Sequence, residues 1–333
     1  MTESRIVETL VTQAYGAFAL LAGMELDVFT PLAHGPLTAA EIADQLARDG
    51  TPADANRLHR LCRALAGYGL LQTEGGGRFA LTEEAARTLV KGVPGYRGTA
   101  ASAYAEGWRA CLETAVSIRN HAPAAHLDFA DGSPDRTQAV LRGLAPQAVA
   151  GGKALLKYLD FSGIHRMIDI AGGSGALTIT VRAAHPQIAA TIVELPEVAP
   201  QTRLLLDEHP GGEAVTVIGG DAVAGPLPGG FDLAVMRCFL QLFGPPQIKA
   251  ALATAHKALA PNGQLAIIGY CLTDDERGPA LALGADLLFL NYYEAGAAYR
   301  LGEYRAWLKD AGFSDPRLTL LGGGMSLLIA KRL

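Results

Sequence analysis

The sequence predicts an α/β protein: a doubly wound parallel sheet over residues 164–333, preceded by a helical, winged-helix region over residues 1–97. Three observations predict it. From Ile164 onward, short apolar runs alternate with helix-forming segments, the pattern of a parallel sheet covered on both faces. One run, residues 167–170, opens directly into Ala171-Gly172-Gly173-Ser174-Gly175, and the next, residues 189–193, ends in Glu194-Leu195-Pro196, a Rossmann-like arrangement. Ahead of residue 97, two helical segments precede a hairpin whose loop is Glu74-Gly75-Gly76-Gly77.

In chain order, residues 6–21 place apolar side chains at helical spacing. Thr38-Ala39-Ala40-Glu41 is a capping box that opens a helix through Leu46, and residues 56–65 form a second helix. Strands over residues 70–73 and 78–82 flank the glycine loop. Residues 98–163 read as a helical linker and pocket wall, with a loop from His121 to His126. Both histidines are candidate pocket bases, against the plainer reading of solvated loop side chains. After Glu194 come a helix (198–209) and two strands (214–218, 231–236), then a helix (246–259). A turn at Pro261-Asn262-Gly263, a strand (264–270), helices (278–294, 301–311) and a closing hairpin within 318–331 complete the series.

Strand, glycine turn, helix, strand, acid is the order of a nucleoside site. Glycines let a ligand approach the backbone, and the helix N-terminus lies behind them. Glu194 falls roughly 20 residues downstream, where a carboxylate can accept the hydroxyls of a ribose. A dinucleotide site would show G-x-G-x-x-G, whereas this turn is A-G-G-S-G with Asp169 just ahead of it. Asp169 repels a pyrophosphate and suits the ammonium of an amino-acid tail, which favours S-adenosylmethionine over NAD. A tight turn without a ligand is the plainer alternative, and the downstream acid argues against it.

Bulk properties narrow the remaining classes. Half the residues are hydrophobic and 18% charged, which excludes a disordered chain, and the net charge of −5 offers no basic footprint for nucleic acid or an anionic membrane. Arg57, Arg60 and Arg63 share one helix and could meet phosphates, but acids are as plentiful nearby, so this region reads as a dimer-forming domain. Cys62, Cys111, Cys238 and Cys271 are scattered, with no metal or disulfide spacing. The apolar stretch over residues 14–24 reads as too short to span a bilayer and lacks a basic flank, so the expectation is a cytoplasmic protein.

The series Ile168 to Gly175, Glu194-Leu195-Pro196-Glu197-Val198, Gly219-Gly220-Asp221, Phe231 to Arg237, Leu259 to Gly263 and Ala311-Gly312-Phe313 resembles the small-molecule O-methyltransferases typified by the plant caffeate-type enzymes. The resemblance covers the whole chain and points to the bacterial natural-product branch. It implies a class I methyltransferase fold, S-adenosylmethionine as cofactor, an N-terminal winged-helix dimerisation domain, a homodimer, and a small aromatic or polyketide-like substrate. By this likeness Asp169, Ala171, Gly172, Gly173 and Gly175 hold the cofactor tail, Glu194 and Leu195 the ribose, and Asp221 with Ala222 the adenine. Arg237 replaces the family's lysine near the cofactor. Ala171 stands where glycine is usual, tolerable if its φ stays negative.

Other departures matter more. The family's catalytic histidine falls on Gln241 and the acid after it on Leu242. Of the two glutamates that orient that histidine, the first falls on Gly269 and the second on Ala298, or on Tyr299 with a one-residue gap. Glutamine cannot take a proton at neutral pH, though its amide can hydrogen-bond a substrate oxygen. The expected acceptor is therefore an already nucleophilic O, N or C atom. Tyr292, Tyr293, Glu294, Tyr299 and His126 are substitute candidates, against ordinary packing for the aromatic cluster. Two rivals remain: a non-methylating reaction on the same scaffold (hydroxylation, decarboxylation or cyclisation), and a winged-helix regulator with a nucleoside-sensing domain.

Overall fold

The computed structural model of the chain describes residues 5–125, 127 and 133–333. The chain divides into two compact units, Met1–Ala105 and Glu106–Leu333.

The first unit opens with α1 (Ile6–Leu26), followed by β1 (Leu37–Thr38), α2 (Ala39–Arg48), α3 (Ala55–Gly67), β2 (Leu71–Glu74), β3 (Arg78–Leu81) and α4 (Glu83–Thr88). The strands pair antiparallel in the order β1-β3-β2, a small three-stranded sheet that accompanies α2 and α3. The capping box forms as expected: Glu41 N–H donates to Thr38 Oγ1 at 3.3 Å, and Thr38 N–H to Glu41 Oε2 at 2.7 Å. Val28, Phe29, Ile42, Leu65 and Phe79 form the core.

α1 corrects one expectation. It runs for 21 residues, so by length and composition alone it could cross a membrane, and shortness does not exclude that. The helix ends only where Asp27 turns left-handed (φ 59°) and its N–H caps Gly23 and Met24 carbonyls. Ile6, Val7, Leu10, Val11, Tyr15 and Phe18 are all more than half exposed.

α5 (Ala101–Leu112) contains the division between the units, and the second unit continues with α6 (Thr114–Asn120) and α7 (Pro134–Tyr158). Then β4 (Arg166–Ile170), α8 (Ala176–Ala184), β5 (Ala189–Glu194), α9 (Ala199–Asp207), β6 (Thr216–Gly219), β7 (Phe231–Arg237) and α10 (Pro245–Ala258) alternate. β8 (Leu259–Leu272), α11 (Ala280–Tyr292), β9 (Tyr299–Arg300), α12 (Leu301–Asp310), β10 (Arg317–Leu320) and β11 (Met325–Lys331) follow. The sheet order is β10-β11-β8-β7-β4-β5-β6, with β9 paired to the end of β8. The inner pairs from β8 to β6 are parallel, while β11 and β10 close the edge antiparallel.

Side-chain alternation builds two cores. Met167, Leu233, Val235, Ala266 and Ile268 point to the face covered by α7 and α8, and Ile168, Ala234, Met236, Leu265 and Ile267 to the face covered by α10 and α12. The expected turn at Pro261-Asn262-Gly263 is instead a bulge inside β8. Phe231 pairs with Leu259, but Leu233 pairs with Gln264, and Asn262 takes φ 63° to absorb the extra residues.

Candidate active site

From β4 the chain winds outward through β5 and β6, then returns to lay β7 on the other side of β4. This reversal opens a crevice at the carboxyl ends of the strands, where open α/β sheets bind ligands. A cavity of about 400 Å³ lies there, lined by Ala171, Gly173, Ser174, Glu194, Leu195, Asp221, Ala222 and Arg237 among others. Six of the expected cofactor positions thus meet the cavity from four strand ends, and Ala222 does so from the loop after β6.

Asp169, Gly172 and Gly175 do not line it. The Asp169 carboxylate is buried beneath the turn, where Thr178 Oγ1–H donates to its Oδ2 at 2.7 Å and its Oδ1 finds no partner among the described residues. Burial pushes it up to about 6, while the Thr178 hydroxyl and the Arg237 charge pull the other way. A β-carbon on Gly172 would meet Ile192 at 2.8 Å and the Asp169 carboxylate at 3.0 Å, and one on Gly175 would collide with Leu206. These glycines therefore make room for the turn's own supports. Ala171 reverses its expectation too: its φ is 56°, because its N–H must donate to Val193 O at 2.8 Å as the chain leaves β4.

Glu194 is 9% exposed, and its Oε1 accepts the Gly173 N–H at 2.6 Å while Oε2 accepts the Leu195 N–H at 3.3 Å. Burial lifts its carboxyl to about 7, the two N–H donors oppose this, and the Asp169 charge adds to the lift. Asp221 is exposed, its Oδ1 accepting the Val223 N–H at 2.7 Å in a local turn. Arg237 Nη1 lies 3.6 Å from Cys238 Sγ, and no carboxylate pairs with Arg237 among the described residues.

The three expected catalytic side chains stand elsewhere. Gln241 is 3% exposed and turns away from the cavity, its Oε1 accepting the Tyr270 N–H at 3.4 Å beside Gly269. Tyr299 OH lies 2.6 Å from Phe243 O and 2.9 Å from Ala295 O, so its one proton is shared between carbonyls. Tyr293 packs on Phe289 and Tyr292 and borders a second cavity of about 430 Å³, along with His121 and Glu294. His126 lies outside the described residues. The sequence reading missed Leu141 and Leu144 of α7, Cys238, Phe239 and Gln247 as cavity walls. A leucine on an amphipathic helix carries no mark of which cavity it faces; Cys238 at least follows Arg237 directly.

Comparison with known proteins adds the decisive observation. Residues 120–314 match the O-methyltransferase domain, and residues 10–92 match the O-methyltransferase dimerisation domain. The chain belongs to the O-methyltransferase family. It is an S-adenosylmethionine-dependent methyltransferase. Over 325 residues it is 32% identical to the tetracenomycin polyketide synthesis 8-O-methyl transferase TcmO of Streptomyces glaucescens, covering 96% of this chain and 94% of the relative. It is 30% identical over 332 residues to the N,N-dimethyltransferase OxyT of Streptomyces rimosus, covering 94% and 91%. The fold matches that of human N-acetylserotonin methyltransferase, solved in complex with SAM, with a TM-score of 0.84 at 23% identity, covering 99% of each chain. α1 lies largely within the matched dimerisation residues, which gives its apolar length a reason other than a membrane.

The cavity suits this cofactor. Its lining holds the Glu194 carboxylate, which can accept hydroxyl donors, and the Arg237 guanidinium, which can meet a carboxylate, while the unpartnered Asp169 oxygen lies beneath the turn, outside the lining.

Proposed function

We propose that this methyltransferase acts on a small planar acceptor, aromatic or polyketide-like, whose O, N or C atom is already nucleophilic when it arrives. In this reading Glu194 and Leu195 hold the ribose, Asp221 and Ala222 the adenine, and Ala171, Gly173 and Arg237 the amino-acid tail. Asp169, Gly172 and Gly175 shape the turn from beneath. When bound, S-adenosylmethionine supplies an activated methyl carbon, so the chain's task is alignment and exclusion of water. Phe239, Leu242 and Phe243, with Leu141 and Leu144, supply the apolar wall that excludes it.

The observation that carries this reading is the placement of Gln241, buried and directed at β8 instead of at the cavity. Nor do the tyrosines replace a base: burial pushes the Tyr292 and Tyr299 phenols up to about 12 and raises Tyr293 as well. A phenol that keeps its proton at neutral pH does not collect another group's. Relatives named for O-methylation and for N,N-dimethylation share most of their length with this chain, which supports an unresolved acceptor atom. Methyl transfer to a series of phenols of graded acidity at fixed pH tests the proposal. Rates that follow the ionised fraction support it, and equal rates on the least acidic phenol would overturn it.

We also infer a homodimer through the first unit. Leu10, Val11, Tyr15 and Phe18, exposed on α1, lie in a segment matching a dimerisation domain, and a second copy would cover them. The domain limits expected from sequence, 1–97, 98–163 and 164–333, stand as part of the same proposal.

A further inference from the structure

Three positions singled out by the sequence, Gln241, Gly269 and Tyr299, each bear on one wall of the cofactor cavity. That wall is the turn over residues 239–243, which presents Phe239, Leu242 and Phe243 to the cavity. Behind it, the Gln241 side chain lies over β8 so closely that a β-carbon on Gly269 would stand 2.7 Å from Gln241 Oε1. The Gln241 carbonyl accepts the Ala297 N–H at 3.0 Å, and a β-carbon on Gly296 would stand 2.8 Å from that same oxygen. Tyr299 OH, from β9, reaches the carbonyls of Phe243 and Ala295. One short turn is thus tied to β8, to the loop before β9, and to β9 itself.

We propose that Gln241, Gly269 and Tyr299 act as positioning residues, a lock that fixes the 239–243 turn as a wall of the cofactor cavity. The inference rests on reading that cavity as the cofactor site. Each member has a definite part. Gln241 fills the space that Gly269 leaves, Gly269 must lack a side chain for the amide to fit, and Tyr299 holds the far end of the turn through Phe243. Gln241 and Gly269 are therefore coupled: a methyl at 269 pushes the Gln241 amide off the Tyr270 N–H and so loosens the tie between the turn and β8, and removing the amide removes the conflict.

A double-substitution cycle tests this, with S-adenosylhomocysteine binding followed by calorimetry and folding by circular dichroism. Gly269→Ala is expected to weaken binding about tenfold in a chain that remains folded, and Tyr299→Phe to weaken it severalfold. Adding Gly269→Ala to Gln241→Ala is expected to cost nothing further, because the clashing group is gone. Losses that multiply in the double variant, or a folded Gly269→Ala protein that binds as the wild type does, would overturn the lock. The same cycle read by thermal unfolding needs no ligand. Wild-type protein that ignores S-adenosylhomocysteine would thus refute the cofactor reading, while additive unfolding effects would refute the lock.

Discussion

The Gly173 N–H donates a 2.6 Å hydrogen bond to Glu194 Oε1, joining the glycine turn after β4 to the acid at the end of β5. A backbone donor thus orients the carboxylate before any ligand arrives. The same carboxylate is buried, and the competition between burial and hydrogen bonding decides its charge.

That competition predicts a pH dependence. Burial raises Glu194 from 4.5 to about 7 and Asp169 from 3.8 to about 6. A carboxyl with a raised folded pKa binds its proton more tightly when folded, so stability is highest below the unfolded value and falls as pH rises through the folded one. The ligand-free protein is expected to lose on the order of a few kcal/mol across this window. Thermal unfolding at intervals from pH 4.5 to about 7 checks it, and Glu194→Gln is expected to flatten most of the slope. Stability that climbs with pH over this range would contradict the burial of these acids.

Ligand binding is expected to run the opposite way. With Glu194 at the ribose, as proposed above, the ribose hydroxyls donate to the carboxylate and select its ionised form, so affinity for S-adenosylhomocysteine should rise as pH climbs toward about 7. Calorimetry in buffers of different ionisation enthalpy should show a proton released on binding, and Glu194→Gln should abolish that release.

Ala171→Gly is expected to stabilise the fold. At φ 56° an alanine β-carbon crowds its own carbonyl, and glycine relieves about 1 kcal/mol of that strain, offset in part by its freer unfolded chain. A rise in Tm of a few degrees or less is the expected reading, and a fall would show that the methyl packs usefully.

Much of this site was legible before the structure, because its chemistry is local. Gly173, Glu194 and Asp221 sit at strand ends that follow from alternating apolar runs, and the topology of such sheets brings those ends together. What could not be read was side-chain direction. Asp169 was placed against the ligand, yet a strand's last inward residue can fall beneath a turn as readily as beside it, and here Thr178 holds it there. Gln241 shows the same limit: its place in the series was plain, but its direction follows from the room left at Gly269 and the Tyr270 N–H beside it.

Gly172→Ala is expected to be damaging although the φ of Gly172 is not left-handed. Its β-carbon would stand 2.8 Å from Ile192 Cγ2 and 3.0 Å from the Asp169 carboxylate, and neither a β-branched neighbour on β5 nor a buried acid can step aside cheaply. A loss of about 2–3 kcal/mol is the overpacking scale. Gly163→Ala, where a β-carbon meets nothing within 4 Å, serves as the control, and comparable losses in both would refute the packing argument.

The last prediction concerns α1. Leu10 and Phe18 are 62% and 52% exposed, two turns apart on a helix whose buried residues are confined to Ala19, Gly23 and Met24. Both lie outside the buried core of their own unit, so replacing both with glutamate should leave the unit folded at a modest cost in stability. In a dimer the same charges would enter an apolar interface and oppose their symmetry mates, which is strongly unfavourable. Sedimentation should therefore show wild-type dimers and a Leu10→Glu, Phe18→Glu variant that is monomeric at micromolar concentration with its circular dichroism intact. A variant that stays dimeric would move the interface off α1, and one that unfolds would show that this helix is not stable without its partner.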